Sequence, residues 1–178
     1  KLSLHIVFME LKEILFRELV KKGYSELNDG RRVWDVANRS FLYMSAGLVK
    51  SFMKVREHPR YKRNIIEIET NLLKVNAEKL VRDLAETPFN LIDMGCEDGS
   101  KAKILIKSLN NKGKIRFCSI NVSKYLVDLA LKNLKEAEFK NVVEYKPYVS
   151  DLGSLHEVAS VLRNGEYQKN VILLFGSI

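Results

Sequence analysis

The sequence predicts an α/β fold, a sheet of about four parallel strands preceded by a helical region. Three observations predict it. Residues 89–178 alternate short apolar runs with amphipathic helical patterns in the order β-α-β-α-β-α-β, which requires parallel strands joined by right-handed crossovers. Residues 6–88 instead carry mainly helical spacing. The chain has 178 residues, 46% hydrophobic and 29% charged, a globular composition long enough for one ordinary core. The expected division is 1–88 for the helical region and 89–178 for the sheet.

Each element has a local reason. Ile6–Lys22 places Leu11, Ile14, Leu15 and Leu19 at helical spacing, and Gly23 is its stop. Ser25–Arg39 is polar, and Asn28-Asp29-Gly30 marks it as a loop. Phe41–Val55 is apolar and aromatic, with a helix expected from about Ala46 and broken by Pro59. Asn64–Leu84 reads as a long amphipathic helix facing the core with Ile65, Ile68, Leu72, Leu73, Leu80 and Leu84, and Pro88 closes the region.

The strand-helix half begins with strand Phe89–Met94, ending at Gly95. Helix Lys101–Leu109, a turn at Lys112-Gly113-Lys114 and strand Ile115–Val122 follow. Ser123 is a good N-cap for helix Lys124–Ala137. Strand Val142–Val149 contains Pro147, which cannot donate to a ladder, so it belongs at an edge or is irregular there. A helix over Leu152–Leu162 leads to strand Val171–Phe175, an unbroken apolar run of the buried parallel kind.

Composition excludes several classes. A disordered tail, a collagen-like fibre and a disulfide mini-protein do not fit it, and no run approaches the roughly 18 apolar residues of a membrane span. Thirty Lys and Arg against 22 Asp and Glu give +8. Residues 1–90 hold 17 basic and 12 acidic side chains and residues 91–178 hold 13 and 10, so the excess is dispersed and reads as solvated surface. The cluster Lys54, Arg56, Arg60, Lys62 and Arg63 reads the same way, because it lacks a nucleic-acid motif; binding of RNA is the least favoured of the functions weighed. Cys96 and Cys118 sit in apolar surroundings and are expected as buried free thiols. The opening KLSLHIVF has no long apolar core and no small-residue cleavage site, and with reduced thiols this points to the cytoplasm.

The stretch that carries chemistry is Asn90-Leu91-Ile92-Asp93-Met94-Gly95-Cys96-Glu97-Asp98-Gly99-Ser100-Lys101. An apolar strand runs into an acid, a glycine, a loop, a second glycine and a helix. Ligands of such sheets bind at the carboxyl ends of the strands, where glycine lets the backbone approach and the helix start offers free N–H groups. Asp93 at the strand tip can accept from a cationic amine, or it serves the turn.

This turn resembles the first motif of class I S-adenosylmethionine-dependent methyltransferases, acidic-x-Gly-x-Gly-x-Gly, with Gly95 and Gly99 matching and Glu97 in place of the middle glycine. More closely, Asp93-Met94-Gly95 with Gly99-Ser100-Lys101 resembles the histidine-specific methyltransferase family of ergothioneine biosynthesis. Phe117-Cys118-Ser119-Ile120-Asn121-Val122-Ser123 is similar to that family's second strand, and Val171 to Ile178 to its Leu-Phe-Leu-Gly-Ser-x-Ile strand end. His58-Pro59-Arg60-Tyr61, followed by Glu67 and Glu69, resembles its Leu-Pro-Glu-Tyr-Tyr segment, and Phe41-Leu42-Tyr43 with Gly47 and Phe52 resembles its Tyr-Phe-Tyr segment.

The resemblance implies a Rossmann-like class I methyltransferase sheet, present in part, with four of seven strands readable. It implies S-adenosylmethionine as cofactor, held by Asp93, Gly95, Gly99, Lys101, Asn121, Ser150 and Asp151. Lys101 would take the cofactor carboxylate, Asn121 the ribose hydroxyls, and Ser150 and Asp151 fall near the adenine pair. Tyr61 and Gly176 would face the acceptor, histidine or a similar small amino-acid-like molecule. Plainer readings stand beside these: Lys101 as a first-turn helix lysine, Tyr61 packed beside Pro59, and Glu97 and Asp98 as solvated acids or the mark of a loop that has lost its cofactor. A degenerate, non-catalytic relative acting as a binding or oligomerisation module is the alternative function. In either case the fourth strand is an open apolar edge, so a second copy or a C-terminal continuation is expected to cover it.

Overall fold

The computed structural model describes residues 23–34, 45–82, 84, 86–150 and 165–175, together with Arg17, Val20 and Lys21. The expected helix Leu152–Leu162, most of the expected helix Ile6–Lys22, and the segment 41–44 lie outside the described residues, as do Asp151 and Gly176. The strands are β1 (Tyr24–Glu26), β2 (Arg32–Trp34), β3 (Phe89–Met94), β4 (Ile115–Asn121), β5 (Val142–Val149) and β6 (Lys169–Leu174). The helices are α1 (Ala46–Glu57), α2 (Pro59–Tyr61), α3 (Glu67–Val81), α4 (Ser100–Ser108) and α5 (Lys124–Lys135), with a π-helical stretch, Lys62–Ile66, between α2 and α3.

The main sheet is wholly parallel, in the order β5-β4-β3-β6. The strand carrying the glycine turn is therefore central: Asp93 lies beside Ser119 on one flank and Leu173 on the other. β5 is at an edge as its proline requires, with Pro147 opposite Ser119. β6 forms the other edge among the described strands, and Ile172 and Leu174 are 58% and 59% exposed. Its apolar run suggested a strand buried on both sides; Ile172 and Leu174 share one face, which is open here, while Leu173 on the other face is buried.

One core joins the sheet to its helices. Phe89, Leu91, Ile115 and Phe117 pack with Ala102, Leu105 and Ile106 of α4, Leu134 of α5, and Leu73, Ala77 and Val81 of α3. The buried face of α3 thus differs from the expected one. Residues 73, 77 and 81 repeat every four positions and lie against α4, while Ile65, Ile68, Leu72 and Leu80 are exposed. An apolar-rich helix presents two overlapping stripes, and packing on α4 selected the one containing Ala77, which allows close approach.

Two further differences are local. Ser25–Arg39, expected as a loop, contains the antiparallel hairpin β1–β2. The Asn28-Asp29-Gly30 turn closes it through Gly30 N–H to Leu27 O at 2.9 Å, and the Tyr24 and Trp34 rings meet at 5.4 Å. Three-residue strands are too short for an alternating pattern to be seen. Ser123 holds the N-cap position of α5, but its hydroxyl does not cap the helix. Its own N–H donates to Asn121 Oδ1 at 2.9 Å. Both cysteines are buried free thiols as expected, and burial pushes the Cys118 thiol up to about 12. No helix among the described residues is long and apolar enough to cross a membrane.

Gly99 is needed for packing. It adopts φ 74°, and a Cβ built there would lie 2.7 Å from Leu134 Cδ1 and 3.2 Å from the Ala130 backbone. Gly99→Ala is therefore expected to cost about 2–4 kcal/mol, from left-handed backbone and overpacking together. Chemical denaturation checks this; a loss below about 0.5 kcal/mol would show that α5 moves aside freely.

Candidate functional site

The site grows from the end of β3. The strand is buried along its whole length, so Asp93 reaches the sheet's carboxyl edge with its side chain almost out of water. Gly95 then turns at φ 75°, its N–H donating to Ile120 O at 2.9 Å. The loop closes through Gly99 N–H to Cys96 O at 2.7 Å. Asp98 Oδ1 accepts from Ser100 N–H at 3.1 Å, just before α4, while Asn133 donates to the Asp98 carbonyl at 2.9 Å. A small, open cavity lies over this turn, lined by Asp93, Gly95, Cys96, Glu97, Asp98, Ser100, Lys101 and Phe175.

The two glycines do different work. A Cβ at Gly95 would meet nothing within 4 Å, so the backbone there is open to a ligand. Gly99 faces α5 instead, as described above.

Charge fills the rest of the cavity. Lys101 is 8% exposed; its Nζ lies 2.7 Å from Glu69 Oε2, 3.9 Å from Glu97 Oε2, and 5.4 Å from the centre of the Phe175 ring. Arg56 is 7% exposed, with Nη2 3.0 Å from Glu97 Oε2 and Nη1 3.8 Å from Asp98 Oδ2. Asp93 is raised to about 7, first by burial and then by Glu97, with Lys101 opposing and Asp98 adding. Burial also raises Glu97, against the pull of Arg56 and Lys101. Burial and the Asp93 carboxylate push the Cys96 thiol up, so it stays protonated and is no nucleophile.

Of the expected cofactor residues, Asp93, Gly95 and Lys101 line one cavity. Asn121 ends β4, one strand over, its Oδ1 taken by Ser123 N–H. Ser150 follows β5 and donates its N–H to Asn121 O at 3.1 Å. Tyr61 ends α2, half-buried and outside the cavity lining.

Arg56 is a correction. The charge pattern reads it as one of the solvated basic residues, yet it is buried and paired with the glycine-turn acids. Its position was readable: it lies seven residues, two helical turns, after the fully buried Val49, and so on the inward face of α1. Glu69 as the partner of Lys101 and Phe175 as a wall had no local signal.

A family model described as histidine-specific methyltransferase, SAM-dependent, matches residues 20–178. None of the curated proteins compared matches the chain. Among solved structures, one from Methanococcus maripaludis, described as an S-adenosyl-L-methionine-dependent methyltransferase, is 17% identical with a TM-score of 0.36, covering 59% of this chain and 41% of its own. A SAM-dependent methyltransferase from Aquifex aeolicus is 21% identical with a TM-score of 0.33, covering 55% and 46%. PKMT2 from Rickettsia typhi, in complex with AdoHcy, is 25% identical with a TM-score of 0.26, covering 34% and 11%. The matched part thus spans less than half of each of these solved chains.

Proposed function

We propose, from the premise that this chain belongs to the histidine-specific, SAM-dependent methyltransferase family, that the cavity after β3 holds the methionine end of S-adenosylmethionine. The observation that carries the reading is the convergence of Asp93, the open backbone at Gly95 and Lys101 on one cavity at the carboxyl end of the central strands. The residues fit that group. Asp93 offers a buried acceptor to an ammonium, and Lys101 offers a cation to a carboxylate.

The fit carries a condition. The cavity has room for little more than a water molecule, far short of the roughly 300 Å³ or more of a typical cofactor-sized site, and Lys101 is already paired with Glu69. A cofactor carboxylate must exchange with Glu69 on Lys101, so binding shifts α3 relative to α4 or turns the Glu69 side chain outward.

The cofactor supplies an electrophilic sulfonium methyl. The protein's contribution is placement: an acceptor nitrogen brought in line with that methyl, with water excluded. The proposed acceptor is histidine or a similar small amino-acid-like molecule, with Tyr61 and Gly176 on the acceptor side, Asn121 toward the ribose, and Ser150 and Asp151 toward the adenine. Buried, protonated thiols support a reducing, cytoplasmic setting. The exposed apolar residues of β6 support a second copy or further chain beside that strand.

Calorimetry on the full-length protein tests the reading. S-adenosylmethionine is expected to bind with a dissociation constant on the order of 1–100 μM, and Lys101→Met to weaken it at least about tenfold. Absence of binding in the wild type would leave the second reading, a non-catalytic module, which the two ion pairs filling the cavity favour.

A further inference from the structure

Glu97 occupies a backbone position that suits glycine. Its φ is 42°, in the left-handed region that a residue with a Cβ enters only under constraint. Its carboxylate lies in the same cavity as Asp93 and Lys101, where burial works against its charge. Its partner is Arg56, on a helix far upstream. The guanidinium spans the loop, 3.0 Å from Glu97 and 3.8 Å from Asp98, with Nη1 also 3.6 Å from Met53 Sδ. The pairing is incomplete, because Arg56 Nε is buried without a hydrogen-bond partner among the described residues. A buried ion pair with an unsatisfied donor is poor value as a stability device, since an apolar pair would do as well. A role in shaping the loop accounts for it better.

We propose that Arg56 is a positioning residue for the loop Gly95–Gly99, drawing the Glu97 carboxylate toward α1 and so keeping clear the space over the Gly95 backbone. Arg56 and Glu97 together then do what an absent side chain would do at position 97. The inference rests on the reading of the cavity as the cofactor site. It makes Glu97 harmful without Arg56, and Arg56 dispensable without Glu97.

The test is S-adenosylmethionine titration of the full-length protein with thermal melting alongside. R56L is expected to weaken binding at least about tenfold, because the Glu97 carboxylate is then left to turn onto Lys101 in the cavity. R56L/E97G is expected to return to within about threefold of wild type. A general loss of packing would not be repaired by trimming residue 97, so an R56L/E97G variant as weak as R56L overturns the proposal, as does R56L binding like wild type. If R56L does not fold, E97Q and E97G decide: glutamine, released from the ion pair, is expected to weaken binding several-fold while glycine does not, and equal binding by both overturns the tether. If the wild type binds no cofactor, the cofactor reading fails by itself. The tether is then judged by melting alone, retained if E97G raises the melting temperature more in the R56L background than in the wild type and overturned if it does not.

Discussion

Asp93→Asn is expected to stabilise the free protein above pH 7 by about 2–4 kcal/mol while removing S-adenosylmethionine binding. The folded-state value of Asp93 is raised from 3.8 to about 7, first by burial and then by Glu97. The folded protein therefore holds this proton more tightly than the unfolded chain does. Stability must fall as pH rises from about 4 to about 7, and the whole penalty is present above that window. A shift of about three units corresponds to about 4 kcal/mol, and relaxation around the ion sets the lower figure. Asparagine keeps the shape of the protonated acid and cannot ionise, so its advantage should be large at pH 8 and vanish below pH 4. Urea unfolding at pH 4, 6 and 8 reads the difference. A constant difference across that range would show that Asp93 is not the titrating group. A buried carboxylate kept at a stability cost, facing a cavity, is what a ligand-binding acid requires.

Phe117→Ala is expected to cost about 3–5 kcal/mol. Phe117 is fully buried in β4, an interior strand of the sheet, between Leu91 and Tyr145, and meets the Tyr145 ring edge-on at 6.4 Å between centroids. It belongs to the core that joins the sheet to α3, α4 and α5, so no flexible surface can close the hole. For a chain of this size the melting temperature should drop on the order of 10 °C. Val75→Ala is the control; Val75 is 83% exposed on α3 and should change stability by less than about 0.5 kcal/mol. Equal losses for the two variants would mean that α3 buries its other stripe.

The strands were legible where apolar runs met strong punctuation. β3 and β5 span the expected residues because Pro88 and Gly95 bound one, and Asn141 and Ser150 flank the other. The edge position of β5 followed from one residue, Pro147, which has no N–H to give. The hairpin β1–β2 was not legible, since its turn was visible but its strands are three residues long. The buried face of α3 was misread because helical period alone does not rank two overlapping apolar stripes.

The site was legible in outline. Asp93, Gly95 and Lys101 could be read as a strand-turn-helix ligand site from residue types and spacing, and they do line one cavity. What they face could not be read. The glycine pair looked equivalent in sequence, yet only Gly95 opens toward the cavity, because α5 occupies the space beside Gly99. Arg56 looked like one of five solvated cations until the packing of α1 buried it against Glu97.

By itself, then, the sequence determined what depends on neighbours along the chain: strand and helix limits, the turn after Asp93, the proline edge and the family resemblance. Tertiary structure alone decided the charge state and occupancy of the site. Desolvation of Asp93 and the pairs Arg56–Glu97 and Lys101–Glu69 arise between helices and a loop that are distant in the chain. Coulomb and desolvation energies follow distance and burial in space, and residue order carries neither.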